Sequence, residues 1–300
     1  MAAAAASAVT AADQRSVRAL LALVWCAAVL PLAGCGGDEE PAAPPSTSDP
    51  GLIHVHGLGR NPADGALMVA THTGLFRVGP DATNAQRVAG NHQDTMGFTV
   101  AGPDHFLGSG HPGSTDDPPF LGLIESTNAG EKWRPISLRG EVDFHVLEAQ
   151  DQFIYGFGSD FDTREARFLR SANGGRSWER LAPPEPLLAL AIDPDDPKRI
   201  VALGEERGHI SRDGGETWRP LPLPGGFVTW TRDAGVVAVD LEGTVRTAAD
   251  PEEDWREVGQ VGAPPAAFDA SGNELLLATH EPRVLGSTDG GKSWSELLDR

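Results

Sequence analysis

Histidine is the residue type whose positions in this chain point most directly to chemistry. His72, His111 and His280 each follow two small residues, and His54 and His56 lie two residues apart. The spacing of that last pair predicts two side chains on one face of a β-strand. Neutral imidazole binds zinc or copper, and near neutral pH it can also donate or accept hydrogen bonds. These recurrences predict that a repeated structural position gathers histidines into a ligand-binding site.

The same reasoning adds polar residues at the starts of two later repeats. One repeat starts with His92, Asp94 and Met96, and the next has His145 beside Asp143. The expected ligand-binding residues are His54, His56, His72, His92, His111, His145 and His280. The expected metal ligands are His54, His56, His72 and His280. A divalent ion or copper is the expected cofactor, and Met96 could give copper a soft sulfur ligand. His105 and His209 are not expected to join this set.

Three carboxylates are candidates for catalysis, namely Asp94, Asp143 and Asp160. A glycosidase needs two carboxyl groups across a cleft, roughly 5 to 9.5 Å apart depending on mechanism. Nothing in the sequence pairs these residues. Each is equally explained as a solvated loop residue of an acidic protein, so the catalytic residues stay open.

A repeated eight-residue motif indicates which elements position the histidines. Residues 171–178, 211–218 and 287–294 read Ser-x-Asp/Asn-Gly-Gly-x-Ser/Thr-Trp, and residues 126–133 hold a looser copy. The Asp or Asn side chain can bond turn amides, the glycines accept left-handed backbone angles, and the Trp can pack between sheets. The expected structural residues are Asn128, Trp133, Asn173, Trp178, Asp213, Trp218, Asp289 and Trp294.

This motif resembles the Asp box, or BNR repeat, of sialidase-like, sortilin-like and glycosyl-hydrolase-like β-propellers. The resemblance implies an all-β propeller of four-stranded antiparallel blades. The tryptophans at 133, 178, 218, 255 and 294, extended back by one period, predict six blades, with seven as the alternative. The six repeats are expected to start near Leu52, Asn91, Gly140, Pro186, Gly225 and Gly262. In such propellers the box joins the third and fourth strands of a blade. The histidines are therefore expected at the opposite face.

The first 51 residues have the organisation of a lipoprotein precursor. Arg15 and Arg18 precede the apolar run 19–30, which is about a dozen residues and short for a membrane span. Leu32-Ala33-Gly34-Cys35 resembles a lipobox, so residues 1–34 are expected to be the signal peptide and Cys35 the lipidated residue. Residues 35–51 have the composition of a disordered tether, and residues 52–300 are assigned to the propeller. The protein is expected on the extracytoplasmic side of a membrane, which it contacts only through its lipid anchor.

Charge and cysteine usage exclude some alternatives. The formal net charge of -19 argues against nucleic acid as a partner. The two cysteines, Cys26 and Cys35, leave no disulfide for the propeller. A monomer is expected.

Three functions fit these observations. The leading hypothesis is a binding module for a glycan or an envelope protein, with a histidine-rich mouth. The first alternative is a glycosyl hydrolase of the Asp-box type. It would not be a standard sialidase, because Tyr155 is the sole tyrosine and the Arg-Ile-Pro element of that family is lacking. The second alternative is a propeller that binds zinc or copper. Whether the chain is an enzyme stays open.

Overall fold

The computed structural model describes residues 50–298, which form six antiparallel sheets of four strands each. Every sheet takes its four strands consecutively from the sequence, so each sheet is one blade. The strands of blades 1 to 3 are β1 Val55–Arg60, β2 Leu67–Thr71, β3 Gly74–Val78, β4 Gln86–Arg87, β5 Asp94–Gly102, β6 His105–His111, β7 Leu123–Ser126, β8 Arg134–Ser137, β9 Val142–Gln150, β10 Phe153–Asp160, β11 Ala166–Ser171 and β12 Glu179–Leu181. Those of blades 4 to 6 are β13 Leu187–Asp193, β14 Asp196–Gly204, β15 Arg207–Ser211, β16 Arg219–Pro224, β17 Gly226–Thr231, β18 Gly235–Asp240, β19 Thr244–Ala248, β20 Arg256–Gln260, β21 Pro265–Ser271, β22 Glu274–Thr279, β23 Val284–Ser287 and β24 Ser295–Glu296.

The prediction of a six-bladed all-β propeller is confirmed. Within the part of the chain that the structure describes there is no helix long and apolar enough to cross a bilayer. The signal peptide, Cys35 and most of the tether lie outside the described residues.

The hydrophobic core is divided among the seams between blades. Six buried clusters fill the six seams, each taking side chains from two neighbouring blades. Strands near the middle of a blade contact a neighbouring blade on each face of their sheet, which explains why β2 and β22 are almost entirely apolar and buried. Burial of apolar side chains on both faces of each sheet therefore holds the blades side by side.

Blades 1 and 6 close the ring by packing rather than by sharing a strand. Strand β1 packs beside β21, and Leu58 and Val69 share a buried cluster with Leu276. The Arg60 guanidinium also donates two hydrogen bonds to the Glu274 carboxylate, at 2.9 and 2.8 Å. The two ends of the described chain are thus fixed to each other by side-chain contacts.

The Asp boxes form the turns that the sequence predicts. In blade 3 the Ser171 hydroxyl accepts a hydrogen bond from the Gly175 amide at 2.9 Å, and the Asn173 side-chain oxygen accepts one from the Ser177 amide at 3.0 Å. Gly175 has φ +77°, and a Cβ there would lie 2.1 Å from a methyl group of Leu123 in blade 2. Glycine is required because the turn is left-handed and presses on the preceding blade.

The tryptophan that ends each box packs into a seam. Trp178 contacts Phe144 at 5.3 Å between ring centroids, and its indole N–H donates to the Ser137 hydroxyl of blade 2 at 2.9 Å. Trp218 packs on Phe168 in the next seam. The boxes therefore join neighbouring blades, as predicted.

Candidate functional site

The candidate site lies at the propeller face opposite the Asp boxes, here called the mouth. The innermost strands of the blades are β1, β5, β9, β13, β17 and β21, and each starts at the mouth. The antiparallel order returns the second strand of every blade to this face and sends the third strand back to the box face. His105 pairs with Glu125 at 2.8 Å, at the box end of β6, which agrees with its exclusion from the predicted histidine set.

A β-bulge near the start of the innermost strand recurs in five blades. The pairing register shifts there in β1, β5, β9, β13 and β21. The residues left unpaired are His56, Met96, His145, Leu188 and Ala266. A bulge re-aims a side chain out of the strand's alternation. Two of the five bulges place histidines at the mouth.

His56, His72 and Asp94 come together at the seam between blades 1 and 2. His72 Nδ1 lies 2.8 Å from Asp94 Oδ2, and His56 Nε2 lies 3.5 Å from Asp94 Oδ1. One ligand atom from each residue lies within 4.8 Å of the other two. No other group of three histidine, cysteine or acidic residues in the described range 50–298 meets this condition. We call these residues the first triad.

Two polar atoms of the first triad are buried without a hydrogen-bond partner, His56 Nε2 and Asp94 Oδ1. Buried polar groups are normally paired, and an unpaired one indicates a water or an ion at the site. The two atoms belong to the same 3.5 Å contact. The two unsatisfied atoms are therefore neighbours, so a single ion or water could contact both.

A second group, here called the second triad, lies at the next seam. The Asp143 Oδ2 atom is 3.0 Å from His145 Nε2 and 3.2 Å from His111 Nε2. Asp143 is buried, whereas the side chain of His145 is half-exposed. Because one carboxylate oxygen contacts both imidazoles from between them, this group is a hydrogen-bonded chain rather than a ligand cage.

Electrostatics connects the two triads. The hydrogen bond that His145 donates to the Asp143 carboxylate raises the pKa of His145 above its ordinary value, against the opposing effect of burial, and the charge of Asp94 raises it further. His56 and His145 also line the same cavity of about 60 Å³ on the ring axis. The triads therefore belong to one opening.

The remaining predicted residues are not part of either triad. His54 precedes β1 with φ +48°, and its ring lies 6.2 Å from that of His72. The His54 side chain therefore approaches His72 from a left-handed turn. Because His54 lies before the strand, the prediction that strand geometry places it on one face with His56 does not apply. His92 and His280 are exposed. Met96 occupies the bulge of blade 2, outside the first triad.

Asp160 has a local structural role. Its carboxylate accepts hydrogen bonds from the amide and hydroxyl of Thr163, at 2.8 and 3.1 Å, and pairs with Arg167. The Thr163 amide lowers the pKa of Asp160. These contacts fix the β10–β11 turn and leave Asp160 poorly suited to proton transfer.

Sequence reasoning missed two carboxyl groups inside the ring, Glu148 and Asp269. Both line the axial cavity and the space of about 160 Å³ adjoining it. Each lies three residues after the bulge position of its strand, in blades 3 and 6. Burial raises the pKa of Asp269 to about 7 and raises that of Glu148 well above its ordinary value. Asp269 is the one charged residue of β21, and that is a signal that could have identified it. Glu148 has no such signal, because β9 also contains Asp143 and His145.

Comparisons with known proteins agree with this architecture. The BNR/Asp-box repeat family matches residues 209–220, one of the boxes described above. "Vacuolar protein sorting/targeting protein 10" of Phaeosphaeria nodorum is 35% identical over 69 residues. That match spans 21% of this chain and 5% of the relative, so it covers a small part of both proteins.

Solved structures share the fold at low sequence identity. A gluconolactonase from Xanthomonas campestris has a TM-score of 0.58 at 15% identity, over 76% of this chain and 84% of the other. An ancestral GH74 enzyme has a TM-score of 0.52 at 14% identity, over 81% of this chain and 38% of the enzyme. YCF48 from Cyanidioschyzon merolae has a TM-score of 0.50 at 12% identity, over 82% and 85%. The chain is thus an Asp-box propeller whose structural neighbours include propeller hydrolases.

Proposed function

We propose that this chain is a lipid-anchored extracytoplasmic propeller that binds a divalent transition-metal ion, with zinc the best match, through His56, His72 and Asp94. The observation that carries the proposal is the convergence of two imidazoles and one carboxylate within 4.8 Å. Each zinc ligand lies about 2.0 to 2.2 Å from the ion, so ligand atoms about 3 to 4 Å apart suit one shared ion. The contacts of 2.8 and 3.5 Å are close to that spacing.

The unpaired atoms support a metal over a simple hydrogen-bonded cluster. His56 Nε2 and Asp94 Oδ1 are both buried, and they lie 3.5 Å apart without forming a hydrogen bond with any group. A shared ion or water would satisfy both atoms. Two nitrogens and one oxygen suit zinc better than calcium or magnesium, which prefer oxygen ligands. The first triad has no sulfur ligand, so copper loses the support that Met96 would have given.

Three protein ligands leave at least one coordination position open. In the proposed setting, a glycan or envelope-protein oxygen atom could fill that position, so the metal site is also the binding site of the mouth. Two of the acids predicted to be catalytic have other partners, since Asp160 is held by Thr163 and Arg167 and Asp143 by two histidines. This weakens the glycosyl-hydrolase alternative in the form that the sequence predicts.

Zinc titration of the full-length protein, purified in detergent and stripped with a chelator, tests the proposal. We expect one tight site in the wild type, and at least about tenfold weaker binding in H72Q and D94N. H105Q is the matched control, since His105 lies at the box face beside Glu125. Equal zinc affinity in the wild type, H72Q and D94N would reject this site.

A further inference from the structure

The second triad lies next to the proposed metal site and has the arrangement of a proton-transfer group. His145 and the metal ligand His56 line the same axial cavity. Asp143 is 2% exposed, and its Oδ2 atom contacts His145 Nε2 at 3.0 Å. A buried carboxylate that holds one imidazole nitrogen fixes the tautomer and leaves the other nitrogen to exchange protons.

We propose that the mouth hydrolyses neutral carboxylic esters, with His145 as the catalytic proton acceptor and donor and Asp143 as its positioning residue. This inference rests on the proposed metal site, because the attacking water is expected to occupy the open coordination position of the ion. A water bound to zinc loses its proton near neutral pH, far more easily than bulk water.

The reaction balances without any further reactant. His145 Nδ1 takes a proton from the water as its oxygen bonds to the ester carbonyl carbon, which gives a tetrahedral oxyanion beside the ion. The carbon–oxygen bond to the alcohol then breaks, and His145 returns the proton to the departing oxygen. One ester and one water give one carboxylic acid and one alcohol.

His111 and Phe120 give the second triad a rigid support. The His111 Nε2 atom is 3.2 Å from Asp143 Oδ2, and the His111 ring stacks on Phe120 with centroids 5.4 Å apart. Phe120 is itself buried and packs edge-on against Phe161 at 5.2 Å. The Asp143 oxygen that contacts His145 is therefore also held by His111, whose ring is fixed by packing.

Charge selects the substrate class. Asp94 and Asp143 lie at the mouth, and the protein has a formal net charge of -19. This overall negative charge disfavours phosphate esters and other anions by like-charge repulsion. A neutral ester carbonyl needs one activated water and one proton carrier, which the two triads supply.

The test uses p-nitrophenyl acetate as the probe, with the full-length protein in its zinc-loaded and chelator-treated forms. We expect turnover by the zinc-loaded wild type well above that of the chelator-treated protein. H145Q should lower kcat by about 100-fold, the scale of a lost general acid or base, while zinc affinity stays unchanged. H105Q is the matched control. A thermal melt checks that H145Q folds, and H145N serves as a second variant.

D143N separates positioning from folding. It should lower kcat with little change in KM and displace the pH profile of turnover, which a purely structural substitution would not do. Zinc binding without turnover above the metal-free protein would overturn this inference and leave the proposed function intact. The inference would also be overturned if H145Q turned over the acetate at the rate of the wild type, or if p-nitrophenyl phosphate were hydrolysed faster than the acetate. If the wild type does not bind zinc, the proposed function itself is rejected.

Discussion

Asp94 and Asp143 occupy the same position in two successive blades, each two residues before the bulged residue of its innermost strand. Each contacts the histidine that ends the second strand of the preceding blade, at 2.8 Å to His72 and 3.2 Å to His111. The two triads are therefore repeats of one seam contact. They differ in the bulge histidine, since His56 comes from the preceding blade whereas His145 comes from the same blade as its carboxylate.

Replacing Gly158 should disrupt the bulge that orients Asp143 and His145. A Cβ on Gly158 would lie 1.8 Å from the Asp143 carbonyl oxygen, so the backbone has to move. We expect Gly158→Ala to destabilise the protein by roughly 3 kcal/mol, the upper range for an overpacked site, measured by urea denaturation. Gly79→Ala is the control, since its Cβ would meet Ala82 at an ordinary 3.6 Å. Equal midpoints for the two variants would contradict the assignment.

The hydrogen bond that His145 donates to Asp143 should be visible in the titration of His145. That bond raises the pKa of His145, so the stability it contributes is present in full below the ordinary histidine value near 6.5 and is lost as pH rises through the folded value. D143N should lower the His145 pKa, measured by NMR, and should destabilise the protein more at pH 5.5 than at pH 8.5. E125Q is the control, because Glu125 contacts His105 at the other face. An unchanged His145 titration in D143N would contradict the contact.

The blades could be predicted from sequence because their signals are local. The box at residues 211–218 specifies its turn through hydrogen bonds within a few residues, from the Gly215 amide to Ser211 and from the Thr217 amide to Asp213. The spacing of the box tryptophans, extended back by one period, gave the blade number. The alignment of strand ends predicted His72 and His111 at one face, and the structure has each of them in contact with the Asp of the following blade.

The composition of the triads could not be predicted in the same way. A bulge such as the one at His56 depends on how β1 pairs with β2, and no residue type in the sequence marks it. Aligned positions also do not imply contact, because His280 aligns with His72 yet lies outside the triads. The carboxylate that joins His56 and His72 comes from the following blade, so only the packed seam identifies Asp94 as their partner.

Trp178 should contribute more to stability than Trp230. Both tryptophans are partly buried against a seam cluster. Trp178 also packs on Phe144 and donates a hydrogen bond to Ser137 of the preceding blade, whereas Trp230, outside the boxes, has Arg199 over its ring. We expect Trp178→Ala to cost about 3 kcal/mol, the lower end for removing a packed tryptophan, and Trp230→Ala to cost less. Thermal denaturation compares the two. Equal losses would show that the box tryptophan does not secure the seam.

Cys35 is predicted to be the lipidated N-terminus of the mature protein. Its position after Leu32-Ala33-Gly34 predicts cleavage before the cysteine and attachment of lipid to it. Mass spectrometry of the membrane-bound protein should find an acylated chain beginning at Cys35. Cys35→Ala should leave the precursor uncleaved, while Cys26→Ala, the control, should be processed normally. An unmodified soluble chain from the wild type would reject the anchor.

Asp269 should make the protein less stable as pH rises. Burial in the ring raises the pKa of Asp269 from 3.8 to about 7, so the folded state retains a proton that the unfolded chain has lost. Stability is therefore highest below the unfolded value and falls as pH rises through the folded one. The neutral Asp269→Asn should stabilise the protein at pH 8.5 by on the order of 1 to 2 kcal/mol, less than a full shift implies, because the axial cavity admits water.

The exposed Asp233 supplies the control, since Asp233→Asn removes the same charge without burial. Glu148 gives a sharper test, because the charge of Asp269 adds to the burial that raises its pKa. Removing one carboxylate also removes its repulsion of the other. Glu148→Gln and Asp269→Asn together should therefore stabilise the protein by less than the sum of the two single effects at pH 8.5. Urea denaturation at pH 5 and pH 8.5 measures both quantities. Additive effects that do not change with pH would show that the two carboxyl groups do not interact across the ring.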